Sequence, residues 1–527
     1  MTKRMLEGLL FVSLLLTSAA GCSSSSAGAT AGGAQDNGLG QQQINQGQVP
    51  QPSAITVEGL LNQYDLPLEG LPCQKVLCID AGYGIVPVLA DAYGSVFVQI
   101  GFSSGIDETT FKRTPLNLSV VVDRSGSMDG SKMTSVKTAL SRLIDQLGED
   151  DRLSIVLFDD IVDVLVEPTM VTNKTTLKNQ VAKIAARGST DMASGLRKGS
   201  DLVKLNAGQA GVSDRVMVFT DAQTNTGDTD QASFIQIATT DAAQSIGITL
   251  FGVGTDLNQE LALAISNVRG GNYFFLQDAT KIASVFDEDF DFLVTPLAYD
   301  LHLTLQPATG FTITAVYGFP SWRSGSTIVD LVIPTIFLSH NHGAVVVRLD
   351  PTNRKWPLGQ SPLAELALNY TSASDGTKVT DALEASYSST DPLSDSSIFY
   401  SQRAVRKSVA LVNEAIGEIR ATQMYYGGNV TGATTLLGET YSMLVSEEAE
   451  IEDADLTTEA NNVQKLESNM QKYTPSGYGT GGSYGGSTYD SRQGVACAFA
   501  GGARTSGSTV SLLALFGLVR LARGRRR

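Results

Sequence analysis

Histidine is almost missing from this chain. Three are present in 527 residues, His302, His340 and His342, and none falls between residues 113 and 294. The most regular part of the chain therefore lacks the commonest general base. Cysteine is scarce too, at Cys22, Cys73, Cys78 and Cys497, and no cysteine–histidine cluster has zinc spacing. Cys73 and Cys78 are near enough to close a small disulfide loop in an oxidising compartment. Two reduced buried thiols are the alternative. Positive charge is outnumbered, with 38 Lys and Arg against 54 Asp and Glu and a net charge of −16. Phosphate backbones are held by basic patches, so this balance argues against a nucleic-acid partner. No glycine-rich phosphate loop and no nucleophile elbow is evident.

What is present divides into segments, and the length suggests about two to four domains. Lys3 and Arg4 precede an apolar stretch at 9–16, so residues 1–21 read as an export signal. Ser18-Ala19-Ala20-Gly21-Cys22 resembles a bacterial lipobox, with Ala19 where Leu is more usual. The resemblance implies lipidation at Cys22; cleavage after Ala20, leaving a free thiol, is the rival reading. Residues 22–54 are rich in Ser, Gly, Gln and Asn and should form a disordered tether. Folded sequence is expected to begin near Ile55, and residues 55–112 form a β-rich segment with a strand pattern at 95–101. At the other end, residues 474–493 form a Gly/Ser/Tyr-rich linker. The tail, 494–527, holds Cys497, an apolar run at 510–519 and an arginine cluster up to Arg527. That run is short of the ~20 residues that comfortably span a bilayer. The tail resembles the sorting signals of myxobacterial surface proteins, which implies processing near Cys497. A plain C-terminal anchor is the alternative.

Residues 113–294 alternate strand and helix patterns. Residues 116–123 are apolar on both faces, as in a buried central strand. Met133, Val136, Leu140, Leu143, Ile144 and Leu147 then recur at helical spacing. Short strands at 153–158 and 162–166 read as a hairpin, and further strands are expected at 215–220, 248–253 and 273–276. Helices are expected at 175–184, 190–205, 234–245, 258–268 and 281–293. Such alternation implies a doubly wound, mainly parallel sheet covered by helices on both faces. Ligands bind such sheets at the carboxyl ends of the strands, where Asp123 and Asp221 fall. Asp123-Arg124-Ser125-Gly126-Ser127 presents one carboxylate and two hydroxyls on a tight loop, and these are hard donors for Mg²⁺, Mn²⁺ or Ca²⁺. Ser and Gly there could also simply turn the chain and cap a helix.

Together with Thr190 in Arg187-Gly188-Ser189-Thr190-Asp191 and Asp221 in Phe219-Thr220-Asp221, the motif resembles the von Willebrand factor type A domain. The resemblance is to its bacterial and inter-alpha-trypsin-inhibitor heavy-chain branch. It implies a Rossmann-like fold with a metal-ion-dependent adhesion site at Asp123, Ser125, Ser127, Thr190 and Asp221. It also implies a divalent cation, Mg²⁺ before Mn²⁺ or Ca²⁺, with one coordination position open to a partner's carboxylate. Ala222 departs from the glycine common at that place.

Strand patterns with Gly, Pro, Asn and Ser turns imply a β-sandwich over 297–390, to which strands from 55–112 could contribute. His340-Asn341-His342 falls in a turn between two such strands and reads as a turn rather than a nuclease or metal motif. Residues 395–472 are helical, with Val405, Val409, Val412, Ile416 and Ile419 on one face. The acidic stretch 447–455 reads as a solvated charge run. The leading reading is a non-enzymatic adhesion or protein-binding module outside the cytoplasm, at the outer membrane or cell surface, held there by lipid or tail. A structural component of an envelope complex and a metal-dependent hydrolase are the alternatives.

Overall fold

A computed structural model describes residues 26–32, 37–70, 72–87, 93–318, 325–356, 361–387 and 393–472. The export signal with Cys22, and the linker and tail with Cys497, lie outside the described residues. Strand β1 (Ser26–Ala31) is followed by helices α1 (Gly38–Asn45) and α2 (Val57–Gln63), then β2 (Cys78–Pro87) and β3 (Gly94–Asp107). The alternating region runs β4 (Leu116–Asp123), α3 (Ser131–Gln146), β5 (Arg152–Phe158), β6 (Val162–Met170), α4 (Lys174–Val181) and α5 (Met192–Lys204). It continues with β7 (Ser213–Thr220), α6 (Gln231–Ala242), β8 (Ile246–Gly252), α7 (Gln259–Ser266) and β9 (Gly271–Phe275). Short helices α8 (Ala279–Ala283) and α9 (Phe290–Leu293) close it. Where one continuous helix was expected over 281–293, a wider-turn segment at Ser284–Glu288 separates the two.

The first sheet has the order β6-β5-β4-β7-β8-β9. All neighbours are parallel except β5 and β6, which form the expected hairpin. β4 is buried along its whole length because helices cover both faces, and this explains its unbroken apolar run. On one face, α3 buries Met133, Val136, Leu140, Leu143 and Ile144 against the sheet.

The remaining strands are β10 (Pro296–Pro307), β11 (Phe311–Tyr317), β12 (Val329–Ser339), β13 (Ala344–Pro351), β14 (Ser361–Ser372), β15 (Lys378–Tyr387) and β16 (Phe399–Tyr400). With β1, β2 and β3 they make a ten-stranded antiparallel sheet along the path β11-β13-β3-β1-β12-β10-β14-β15. β2 pairs with β3 and β16. The hydrogen bonding is continuous, not divided into two sheets. The sheet curls over one core, bringing Tyr83 of β2 within 6.0 Å of Tyr387 of β15. Residues 78–107 therefore belong to the same layer as residues 296–387. Cys73 and Cys78 are disulfide-bonded at the entry to β2.

The tether expected over 22–54 is not what the described residues form. Residues 26–31 pair with both β3 and β12 in the middle of the sheet, and residues 38–45 are helical. The small side chains that suggested disorder are what the slot accepts. Ala27 and Ala29 are buried, and a Cβ at Gly28 would stand 2.2 Å from the carbonyl oxygen of Asn341. Overpacking against backbone cannot be relieved by a rotamer change. Gly28→Val is therefore expected to destabilise by roughly 3 kcal/mol. Urea unfolding checks this, and an unchanged midpoint would place β1 outside the sheet.

Helices α10 (Arg403–Tyr426), α11 (Val430–Ile451) and α12 (Ala454–Lys472) follow. They share a core with α2, β3 and β13. The acidic stretch 447–455 is a seam between helices, not a free charge run. Glu447 and Glu450 pair with Arg406, and Asp453 and Asp455 pair with Lys407 at 3.3 and 2.5 Å. The two sheets also meet directly. The buried Arg215 of β7 donates to Thr249 at 2.8 Å and lies 5.3 Å from the Phe337 ring of β12. Burial pulls its guanidinium down to about 10.

Candidate metal centre at the sheet edge

Asp123 ends β4 and Thr220 ends β7, and the two strands are parallel neighbours with Val122 opposite Phe219. Asp123 and Asp221 thus emerge side by side at the carboxyl edge of the sheet. The chain leaves β4 through a short 3-10 turn, Gly126–Met128, before α3 begins. Met128 is fully buried and pins that turn to the core.

Each carboxylate is held by hydrogen bonds from the protein. Asp123 Oδ1 accepts from the Ser125 N–H at 2.9 Å, and Oδ2 accepts from the Thr220 hydroxyl at 2.6 Å. That hydroxyl in turn accepts from the Ala222 N–H at 2.8 Å. Asp221 Oδ1 accepts from the Gln223 N–H at 3.1 Å, and Oδ2 from Lys132 Nζ at 2.8 Å. Both side chains are fully buried, and burial pushes the Asp123 carboxyl up to about 6 against the pull of Ser125 and Thr220.

The three loops are tied together. The Gly126 N–H donates to the Gly188 carbonyl at 3.0 Å, and the Arg187 N–H donates to the Arg124 carbonyl at 2.6 Å. The Thr190 N–H donates to Asn225 Oδ1 at 2.9 Å, and the Thr190 carbonyl accepts from the N–H groups of Asn225 and Thr226. Its backbone is thereby held by the loop that follows Asp221. Asp191 caps α5 by accepting from the Ser194 N–H. Ser125 Oγ and Ser127 Oγ lie 3.1 Å apart, Ser125 buried and Ser127 exposed.

All five residues singled out in the sequence therefore lie at this one edge, Asp123 at the end of β4 and the others on the loops. Two carboxylates and three hydroxyls are a donor set for a hard dication, and the raised Asp123 carboxyl is what a nearby positive charge would stabilise in its ionised form. Ala222 is buried with φ 55°, in the left-handed region. The need for that conformation explains why glycine suits the position.

The residues that hold the site were not found from sequence. Asp159, just beyond the end of β5, is fully buried between Arg124 Nε at 2.8 Å and Arg187 Nε at 2.6 Å. The Arg124 contact is a charge pair without hydrogen-bond alignment. Asp159 also accepts from the Ile161 N–H at 2.8 Å. Burial alone would raise its carboxyl, but Ile161 and the two guanidiniums outweigh it and hold it below the ordinary range. A carboxylate at the end of a third strand was the available signal. His340 and His342 lie in the ten-stranded sheet region, where His342 Nδ1 is 2.8 Å from Asp65, and take no part in this edge.

Residues 117–288 match the family model for the von Willebrand factor type A domain. An uncharacterized protein of Synechocystis is 30% identical over 200 residues, spanning 37% of this chain and 46% of that protein. An inter-alpha-trypsin inhibitor heavy chain of Mus musculus is 29% identical over 163 residues, spanning 29% of this chain and 18% of that protein. The match thus covers less than half the length of either relative. A solved von Willebrand factor type A protein from Catenulispora acidiphila is 14% identical, with 76% of this chain and 97% of that chain covered at a TM-score of 0.47. Domains of this family commonly mediate metal-dependent protein–protein interaction. The alternating sheet that carries Asp123 and Asp221 is a von Willebrand factor type A domain, and the chain is related through it to bacterial proteins of that type and to the inhibitor heavy chains.

Proposed function

We propose that Asp123, Ser125, Ser127, Thr190 and Asp221 form a metal-ion-dependent adhesion site, and that the protein binds an acidic group of a protein partner through it. The observation that carries this reading is the pair of buried, prepositioned carboxylates on adjacent strand ends, opening outward past the exposed Ser127. An all-oxygen donor set favours Mg²⁺, with Mn²⁺ and Ca²⁺ as substitutes. The cation would supply a strong local positive charge with room for one external oxygen. Asp123 and Asp221 would neutralise it, the hydroxyls would orient it, and Thr220 and Asn225 would keep the loops from collapsing into the edge.

We also place the protein outside the cytoplasm. The Cys73–Cys78 disulfide supports an oxidising compartment, in keeping with the export signal. Lipidation of Cys22 would leave four peptide steps to Ser26, at most about 14 Å of chain. The folded body would then stand at the membrane surface rather than on a long tether.

Full-length wild type and Asp221→Ala protein, each used as bait on cell-surface extracts with Mg²⁺ or with EDTA, test the proposal. Partners should be retained by wild type in Mg²⁺ alone. The same partners in all four conditions would end the metal-bridged reading.

A further inference from the structure

Lys132 lies in the first turn of α3 and reaches over the site rather than out to solvent. Its Nζ donates to Asp221 Oδ2 at 2.8 Å and stands 2.6 Å from Asp256 Oδ1 on the loop after β8. The side chain is 14% exposed, whereas that of Asp256 is 56% exposed. The path of the lysine stem is built into the fold. A Cβ at Gly254, which has φ +84°, would stand 2.3 Å from Lys132 Cε. The third loop is joined to this loop as well, since the Asn258 N–H donates to the Asp221 carbonyl at 3.0 Å.

We propose that Lys132 sets the cation affinity of the site, its ammonium bridging Asp221 and Asp256 and yielding to an arriving dication by releasing Asp221 and keeping Asp256. This rests on the metal-site reading above. The ammonium and a dication seek the same carboxylate, and like charges repel across a partly buried edge where screening is weak. Lys132 therefore weakens cation binding. Asp256 works in the opposite direction, because it gives the ammonium a second anchor on the solvent side. The arrangement also prevents Asp221 from being buried without a counter-charge when no cation is bound. A partner's carboxylate brings negative charge that offsets the ammonium, so partner and cation should strengthen each other's binding.

Titration calorimetry with MgCl₂ and thermal melts in Mg²⁺ and in EDTA, on full-length protein, test this. Lys132→Met keeps the stem against Gly254 and removes the charge. It should bind Mg²⁺ about tenfold more tightly, within the range that outer residues alter metal affinity. It should also melt lower than wild type in EDTA and gain more from Mg²⁺. Asp256→Asn leaves Lys132 in place and should bind Mg²⁺ more weakly than wild type. Unchanged or weaker Mg²⁺ binding by Lys132→Met overturns the inference, as does tighter binding by Asp256→Asn. Wild type that shows neither heat nor a melting shift with Mg²⁺ refutes the metal site itself, and the inference with it.

Discussion

Glu418→Gln should flatten the pH dependence of stability. In wild type, stability should fall as pH rises from about 4.5 to 8, and the variant should lose the share of that slope that Glu418 carries, Glu414 keeping its own. The cause is a carboxylate cluster inside the C-terminal bundle. Glu414 and Glu418 of α10 and Glu459 of α12 are all buried. Glu459 is supplied with donors: Tyr64, Gln41 at 3.3 Å, Gln63 at 3.5 Å and Asn462 at 3.1 Å. Glu414 has no such donors, and burial followed by the charges of Glu459 and Glu418 raises it well above its ordinary value. Burial and the charge of Glu459 push Glu418 up to about 8. Lys407 of the same helix as Glu418 is engaged by Asp453 and Asp455. Asp455 acts together with Glu459 and Glu414 on the neighbouring Tyr64 hydroxyl.

The sign follows from linkage. A carboxyl with a raised folded pKa keeps a proton that the unfolded chain has released. Its favourable contribution is complete below the unfolded value of 4.5 and is lost as pH rises through about 8. A shift of this kind is worth about 1.4 kcal/mol per unit, so a loss of about 5 kcal/mol across the window is expected in wild type. Urea unfolding at several pH values, with amide exchange of α12, would measure it. Equal slopes in wild type and Glu418→Gln would show that Glu418 is already ionised at neutral pH.

Asp159→Ala should do the second-largest damage, and should do it twice. It removes the buried carboxylate between Arg124 and Arg187 and leaves both guanidiniums to share the half-exposed Asp163, which Arg187 reaches at 3.3 Å. Removing one partner of a buried ion pair costs up to about 3 kcal/mol when the other is left uncompensated, and Asp163 keeps part of that compensation here. Arg124 lies inside the first loop of the proposed site and Arg187 opens the second, so the loops also lose a common anchor. On the proposed site, Mg²⁺ affinity should drop roughly tenfold to a hundredfold, as for outer residues that orient ligands. Calorimetric titration at a temperature where the variant is still folded separates the two effects. Wild-type Mg²⁺ affinity in a folded Asp159→Ala protein would show that Asp159 serves stability alone.

The candidate site was readable because its members are placed by local rules. A strand buried on both faces announces itself as an apolar run, and the residue at its end faces the ligand edge. Asp123 and Asp221 needed nothing more. Asp159 obeys the same rule and was passed over, because no hydroxyl motif follows it. Lys132 carries no such signal. On a helix it reads as one more solvated lysine, and its partners arrive from loops 89 and 124 residues away.

The segments misread from composition failed for one reason. Residues 26–31 have the composition of a linker, and composition reports whether a segment can build its own core. It does not report whether a slot already lined by β3 and β12 will accept a strand of small residues. The acidic run at 447–455 looks solvated until Arg406 and Lys407 of α10 are brought alongside. Glu414 and Glu418 interrupt an apolar helix, and only the docking of α12 makes them a cluster. Sequence by itself determined the parallel sheet, its order of elements and the loops that carry Asp123, Thr190 and Asp221, because burial period and strand ends are local properties. Tertiary structure alone decided the ten-stranded sheet, the Asp159 anchor and the Lys132 bridge, because each depends on a partner the chain supplies from far away.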